Sequence, residues 1–319
     1  MNFKCRHCSR ALDAPDSSGG QFVTCPYCKG SVRVPALAAD AAAADLALAA
    51  ASRARAEAPG TLTLSQLRDA GEVKAYTALA LLAIPVYALV GIWVIASFGG
   101  ALLIIGIGLL ARYLAGLFAA AYIKSNAVRV SPRQLPEIYD IVQRCTRRLG
   151  CAEPQVYVMQ QGVWNAFAAR FARTDMVVLF SGAIDSILLK GGIEQLTWLV
   201  GHEIGHHYAG HLRFSRRWVH MGGWLPWFLL WYNRRCELTC DRIALYCTGS
   251  LRTSLQAACN MTVGAQLSDR VDVNEAIAQW HQHKREFFVR YRTIYSSHPH
   301  HLWRLEELTI AAKELGVPA

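Results

Sequence analysis

The sequence carries little charge for its length. Of 319 residues, 18% are charged and 53% are hydrophobic, and the mean hydropathy is +0.19. Soluble domains carry about 25% charged residues, so this balance disfavours a purely soluble protein and excludes disorder over the whole chain. The first ten residues are polar and lack the apolar stretch of a secretory signal. We therefore expect a folded chain with a membrane segment and no secretory signal.

The charge that is present is mostly positive. Lys and Arg number 33 against 23 Asp and Glu, which gives a formal net charge of +10. A surplus of this sign suits anionic lipid headgroups or nucleic acid, and composition alone does not choose between them. The length allows about two ordinary domains.

Four of the ten cysteines stand in a metal-binding pattern. Cys5, Cys8, Cys25 and Cys28 form C-x2-C-x16-C-x2-C, a spacing typical of zinc sites. Four thiolates close a tetrahedral site, so this zinc is expected to stabilise a ribbon over residues 1–35. The alternative is four free thiols in a disordered tail. Because such sites persist where disulfides are rare, we expect this end of the chain to be cytoplasmic.

A long uncharged run follows an alanine-rich stretch. Residues 36–74 have no clear apolar stripe and are interpreted as a linker. Residues 75–111 contain no charged side chain, whereas one membrane span needs about 20 residues. We predict a transmembrane hairpin over residues 75–124, with helices near 76–97 and 101–123. A buried hairpin in a soluble protein is the alternative, and the role of Arg112 within the second helix is open.

The remaining domain, residues 125–319, is predicted to be mainly helical with a small β-sheet. Residues 132–149 form an amphipathic helical pattern, and residues 155–159 and 176–180 are typical of strands. A helical pattern over residues 193–200 then leads into His-Glu-Ile-Gly-His. A small sheet is therefore expected to precede a helical core.

That His-Glu-Ile-Gly-His segment is an HExxH motif. Residues four apart share one face of a helix, so His202 and His206 can bind one zinc ion. Glu203 lies one step around the helix, where it can act as a general base on a metal-activated water. Zinc needs a third protein ligand, and two candidates compete for this role.

His211 and Glu237 are the candidates for the third ligand. His211 lies nine residues after His202, which on a continuous helix is about 180° away. Glu237 is the better candidate, and Asp241 shares its helical face, where it can hydrogen-bond a ligand histidine. The alternative for Glu237 and Asp241 is a solvated helix face.

These motifs together resemble a known family, the HtpX-like membrane zinc metallopeptidases, which also include the CAAX prenyl endopeptidases. The resemblance covers roughly residues 122–312 and depends on motifs in a fixed order: Asn165-Ala166-Phe167, His202–His206, Glu237–Asp241 and Ser297-His298-Pro299 followed by Arg304. It implies a zincin-like domain of the gluzincin type.

The resemblance also implies roles for individual residues. The metal ligands would be His202, His206 and Glu237, and Glu203 would be the base. Asn165 would hold the substrate backbone along an edge strand. Substrate or the developing oxyanion would be contacted by His298 and Arg304.

Two features depart from the family pattern. The family has further spanning helices between HExxH and the glutamate, whereas residues 218–232 are too short to span twice. Their four tryptophans favour an interfacial anchor or a lid, with an ordinary aromatic core as the alternative. The zinc ribbon is also additional to the family core.

The sequence therefore predicts a multi-pass protein of the cell membrane with its ribbon and catalytic domain in the cytoplasm. It would be a zinc endopeptidase with one catalytic and one structural zinc, and would act in protein quality control. Its partners would be protein or peptide substrates and membrane lipids, not nucleic acid; the partner of the ribbon is open. The alternatives are a zinc-ribbon adaptor on a membrane stalk with a degenerate protease fold, and CAAX-type peptide processing.

Overall fold

The computed structural model divides the chain into two units, residues 1–59 and residues 60–319. Each unit is described by itself. The alanine-rich part of the predicted linker, up to residue 61, lies outside the described residues. Those residues are 2–5, 8, 10–13, 15, 22–29, 31–33, 62–163, 165–171, 174–190 and 192–318.

The first unit consists of two short hairpins with a cysteine pair beside each. Strands β1 (Asn2–Lys4) and β2 (Ala11–Asp13) pair antiparallel, as do β3 (Phe22–Thr24) and β4 (Ser31–Arg33). Its described buried core is Cys5, Leu12 and Cys25, with Cys8 packed against it. So small a core cannot stabilise a fold on its own.

The second unit is mainly helical with one four-stranded sheet in its described residues, which confirms the predicted fold class. Its helices and strands, in chain order, are α1 (Leu64–Leu67), α2 (Ala70–Ala96), α3 (Gly100–Asn126), β5 (Val128–Arg129), α4 (Pro136–Leu149), β6 (Gln155–Met159), β7 (Ala166–Phe171), β8 (Thr174–Phe180), α5 (Ser181–Lys190), α6 (Ile193–Tyr208), α7 (Phe214–Arg217), α8 (Pro226–Thr248), α9 (Leu251–Val263), α10 (Val273–His283), α11 (Phe287–Ile294) and α12 (His301–Leu315), and 3-10 turns occupy Trp218–Trp224 and Ser268–Arg270.

Helices α2 and α3 are long and apolar enough to cross a membrane. Only 11% and 6% of their apolar windows are buried, which is unlike the core helices of a soluble protein. Helix α3 is continuous through Arg112. The sequence predicted that α2 starts near residue 76, but the helix begins at Ala70, because the charged side chain of Glu72 is buried within the second unit and does not end the helix.

Residues 63–74 therefore do not resemble a linker. They form α1 and the first turn of α2, and Leu67 belongs to the main apolar cluster of the second unit. Arg242 on α8 donates to the carbonyls of Gln66 and Leu67. These contacts fasten the start of the first apolar helix to the helix that carries Glu237.

The sheet has the strand order β5-β6-β8-β7, with β6 and β8 parallel and the other pairs antiparallel. Strand β7, which the sequence analysis did not predict, is terminal. Helix α4 begins at Pro136 and not at residue 132, because Ser131 and Gln134 form a β-bridge and Leu135 takes a left-handed conformation. Proline at the first helical position suits this start, since its missing N–H would be unpaired there anyway.

Two glycines let α6 and α8 approach closely. A Cβ on Gly201 would lie 3.0 Å from the Cβ of Cys247, and one on Gly205 would lie 3.3 Å from the Cα of Cys240. Both glycines immediately precede a histidine of the HExxH motif. Their small size therefore brings the two histidines close to α8.

Residues 218–232 pack along the first apolar helix. The indole N–H of Trp218 donates to the Tyr76 hydroxyl (3.1 Å), and that of Trp224 donates to the Leu82 carbonyl (3.2 Å). Tyr232 is buried, whereas Trp224 is 58% exposed. Tryptophans of this kind, half packed and half exposed beside an apolar helix, are typical of a membrane interface.

Candidate active site

Three side chains from two helices converge at one point. His202 and His206 lie one turn apart on α6, and Glu237 lies on α8. The Nε2 atom of His202 is 3.3 Å from Oε2 of Glu237, and the Nε2 atom of His206 is 3.4 Å from its Oε1. The structure thus brings together the two motif histidines and the glutamate favoured by the sequence.

These separations fit a metal ion. Zinc bound by nitrogen and oxygen in tetrahedral geometry, at about 2.0–2.2 Å, separates its ligand atoms by about 3.4 Å. Burial opposes ionisation of Glu237, but its contacts with His202 and His206 outweigh burial and hold its pKa well below the ordinary value. An ionised carboxylate and two imidazole nitrogens form a donor set that zinc prefers.

Glu203 is buried next to the first ligand histidine, at 6% exposure. It lines the same cleft as His202, His206 and Glu237. Burial, which penalises the charged form, raises the pKa of this carboxyl. A carboxyl with a raised pKa is suited to accept a proton and then release it.

Asp241 supports His202 from behind. Its Oδ1 atom lies 3.0 Å from the Nδ1 atom of His202. Burial opposes protonation of His202, but Asp241 and Glu237 outweigh burial and raise the pKa of the imidazole to about 10. The carboxylates of Asp241 and Glu237 therefore stabilise positive charge at this site. The contact of Asp241 with His202 is the one expected from the sequence.

Arg304 corrects a sequence-based expectation. Instead of pointing at a substrate, its Nε and Nη2 atoms donate to the two oxygens of Asp241, at 2.7 and 2.5 Å, and its Nη1 atom faces the sulfur of Met261. The side chain is 5% exposed and its guanidinium stacks over Trp198. Both N–H···O contacts of this guanidinium therefore go to Asp241, so the structure shows Arg304 positioning Asp241 at the wall of the cleft.

His211, the rejected candidate ligand, lies behind His206. Helix α6 ends at Tyr208 and Gly210 adopts a left-handed conformation, so the chain folds back instead of continuing the helix. The Nδ1 atom of His211 lies 3.2 Å from the Nδ1 atom of His206, on the side of the ring away from Glu237. Burial lowers the pKa of His211 to about 4.

Glu72 is a residue that sequence reasoning missed. It is fully buried, and its Oε2 atom lies 3.3 Å from the Nε2 atom of His211. Arg68, Arg216 and Thr239 also contact its carboxylate. The signal in the sequence was an acidic residue two positions before Lys74, which precedes the uncharged run, and such a pair of charges is easily interpreted as the polar edge of a membrane span.

The cleft beside His202, His206 and Glu237 is bounded by the terminal strand. Asn165 precedes β7, and its side-chain oxygen accepts from the amide of Ala166. His298 also lines the cleft and is 67% exposed, with its Nε2 atom 3.8 Å from Oε1 of Glu237. Among the described residues that line the cleft, none comes from residues 218–232, so this segment does not cover it as a lid.

The four N-terminal cysteines form a second cluster of donors. Their sulfurs all lie within 4.8 Å of one another. The Cys5–Cys28 and Cys8–Cys25 sulfur separations are 3.7 and 3.8 Å. Tetrahedral zinc with sulfurs at about 2.3 Å separates them by about 3.8 Å, so these residues fit a four-thiolate site.

Comparison with protein families assigns the second unit. The sequence model of peptidase family M48 matches residues 132–223 and 216–312, which together cover more than half of the chain. This chain belongs to peptidase family M48. Membership confirms the resemblance drawn from the motifs, and it supports a membrane-associated metalloprotease.

Relatives in this family include two HtpX protease homologues. The one from Thermodesulfovibrio yellowstonii is 33% identical over 81 residues, which are 25% of this chain and 28% of that protein. The one from Pyrococcus abyssi is 30% identical over 121 residues, which are 37% of this chain and 41% of that protein. The match thus spans less than half the length of either relative. No solved structure matches the chain.

Proposed function

We propose that this chain is a membrane-anchored zinc endopeptidase that cleaves membrane or membrane-proximal proteins. The observation that carries the proposal is the convergence of His202, His206 and Glu237 at tetrahedral spacing, with buried Glu203 in the same cleft. Membership in peptidase family M48 supports the same chemistry.

The ligand residues would hold zinc through the two Nε2 atoms and the Glu237 carboxylate. When bound there, zinc supplies a Lewis acid that polarises the scissile carbonyl and makes water a better nucleophile. Asp241 keeps the Nδ1 hydrogen of His202 in place, so that its Nε2 lone pair faces the ion. Arg304 in turn fixes Asp241.

Glu203 is the proposed general base. Its carboxylate takes the proton of the attacking water and passes it to the leaving nitrogen as the peptide bond breaks. The raised pKa of this buried carboxyl makes its ionised form a stronger base, which favours the first transfer, from water to Glu203. Such a group contributes about 10²–10⁴-fold to the rate.

His298 and Asn165 are the proposed substrate contacts. His298 is exposed in the cleft, and its Nδ1 atom lies 2.9 Å from the Ser297 hydroxyl, which leaves Nε2 able to donate to a developing oxyanion. Terminal strand β7 offers an unpaired edge to an extended peptide, and Asn165 stands where that edge meets the cleft. This arrangement fits an endopeptidase.

The membrane anchor restricts the substrates. Helices α2 and α3 would span the cell membrane, and the ribbon and the catalytic unit would both be cytoplasmic, as thiolate ligands favour. A peptidase tethered in this way meets polypeptides at or in the membrane. We therefore place it in protein quality control, with a second, structural zinc in the ribbon.

Replacement of Glu203 tests this proposal. The purified full chain in detergent should cleave an unfolded protein such as casein, and Glu203→Gln should lower kcat by about 10³-fold while the zinc content stays at two per chain. Glu194→Gln is the matched control, since Glu194 lies on the same helix and pairs with Arg144 away from the cleft. Undiminished cleavage by Glu203→Gln would refute the mechanism.

A further inference from the structure

The two ligand histidines are supported in different ways. His202 contacts Asp241 directly, whereas behind His206 stands a second histidine and then a carboxylate from the first apolar helix. We propose that His211 and Glu72 are positioning residues that hold the His206 ring for the metal and tie the start of α2 to the site. The inference rests on the function proposed above.

The two rings can share a hydrogen in only one way if His206 binds a metal. Its Nε2 atom faces Glu237 and must present a lone pair, so its hydrogen lies on Nδ1. The Nδ1 atom of His211, 3.2 Å away, must then accept that hydrogen. His211 consequently carries its own hydrogen on Nε2, which lies 3.3 Å from a carboxylate oxygen of Glu72. The hydrogen bond to His211 thus fixes the tautomer of His206, and the negative charge of Glu72, which lies near Nε2 without hydrogen-bond geometry, favours the matching tautomer of His211.

Glu72 is itself held firmly. The Thr239 hydroxyl donates to its Oε2 atom at 2.6 Å, and Arg216 donates to its Oε1 atom at 3.0 Å, as Arg68 also does. Both arginines also donate to the carbonyl of Ala209, the residue that caps the end of α6. The carboxylate and the end of the zinc-binding helix are therefore bound by the same two cations.

The same cluster is a poor site for a metal of its own. Glu72, His211 and Cys236 lie close enough to hold an ion. However, Arg68 and Arg216 already neutralise the carboxylate, and their charges would repel a divalent cation. A hydrogen-bonded support for His206 is the role that fits these charges.

Zinc affinity tests the inference. The full chain in detergent is titrated with a chelator, and the zinc that remains is counted beside a His202→Ala reference that reports the ribbon zinc alone. We expect His211→Leu to weaken the catalytic site by about 10–100-fold, as loss of a ligand's hydrogen-bond partner does. His211→Asn, which keeps an acceptor atom close to the position of Nδ1, should restore most of the affinity.

His207→Leu is the matched control. His207 is the next residue on α6 after the ligand, its side chain is 7% exposed, and it contacts Asp175 and the Met176 carbonyl instead of the site. This variant should lose stability without losing zinc. If His211→Leu does not fold, the inference is tested with Glu72→Gln. This variant should weaken zinc binding, but by less than the loss of about 10–100-fold expected for His211→Leu.

Two results separate the inference from the proposed function. A wild-type chain that holds no more zinc than His202→Ala would overturn both. The inference alone would be overturned if His211→Leu or Glu72→Gln binds the second zinc with wild-type affinity. It would also be overturned if His207→Leu loses as much zinc affinity as His211→Leu.

Discussion

The chain contains two clusters of metal donors that differ in almost every respect. The N-terminal cluster has four sulfurs, in a unit whose described core is no larger than Cys5, Leu12 and Cys25. The other has two nitrogens and a carboxylate, on helices that belong to a large apolar core. A tetrahedral zinc ion would have all four positions filled in the first cluster, whereas in the second it would keep one position for water or substrate.

This difference indicates what a metal ion would contribute to each unit. In the N-terminal unit a bound ion would take the place of a core, so binding and folding would be one event. In the peptidase unit the core positions the ligands, and paired polar groups such as Asp241 with Arg304 orient them. A metal held by a preformed site can be devoted to chemistry instead of to folding.

Removal of zinc should therefore have the largest effect, and only on the ribbon. Zinc contributes about 10–16 kcal/mol to the folding of small thiolate domains. We expect excess chelator to make residues 2–33 susceptible to proteolysis, while residues 62–318 remain resistant because their core is apolar. Mass spectrometry of the proteolytic fragments measures the protection of both segments. If both units lost protection from proteolysis at the same chelator concentration, the proposed difference between them would be wrong.

Arg304→Met should have the next largest effect, and on the peptidase unit. It leaves the Asp241 carboxylate, 1% exposed, without its cationic partner. Loss of one partner of a buried ion pair costs about 3–5 kcal/mol. Denaturant unfolding monitored by tryptophan fluorescence reports this loss.

Arg292→Met is its control, since Arg292 also lines the cleft but is exposed. It should leave stability unchanged. Equal stability of the two variants would contradict the role of Arg304 as the buried cationic partner of Asp241.

Gly222→Ala should have the smallest effect. A Cβ at this position would collide with the backbone carbonyl of Leu79 on the first apolar helix. Overpacking of this kind costs about 1–3 kcal/mol, so the midpoint of thermal unfolding should fall. Gly223→Ala provides the comparison, because its Cβ would meet only the side chain of Leu229, which can move. A larger fall in the unfolding midpoint for Gly223→Ala than for Gly222→Ala would contradict this packing.

Spacing along the sequence predicted much of the candidate site. The interval of four residues in HExxH and in Glu237–Asp241 dictates shared helical faces, and the structure places His202, His206, Glu237 and Asp241 together. The hairpin of apolar helices was also predictable, because uncharged runs of this length are rare outside membranes.

Contacts between distant segments could not be predicted in this way. Nothing local shows that Glu72 meets His211, or that Arg304 pairs with Asp241. Both pairings join residues far apart in the chain, and both bury charge that local polarity alone would assign to solvent or substrate. The start of α2 was misplaced for the same reason.

X-ray absorption at the zinc edge tests the central claim most directly, because it measures the atoms bound to the metal. For the full chain we predict two shells of atoms around zinc, sulfur at about 2.3 Å and nitrogen or oxygen at about 2.0–2.2 Å from the metal. Replacement of Cys5, Cys8, Cys25 and Cys28 by serine should remove the sulfur shell and leave the other. A spectrum of the full chain with sulfur alone would contradict a metal bound by His202, His206 and Glu237.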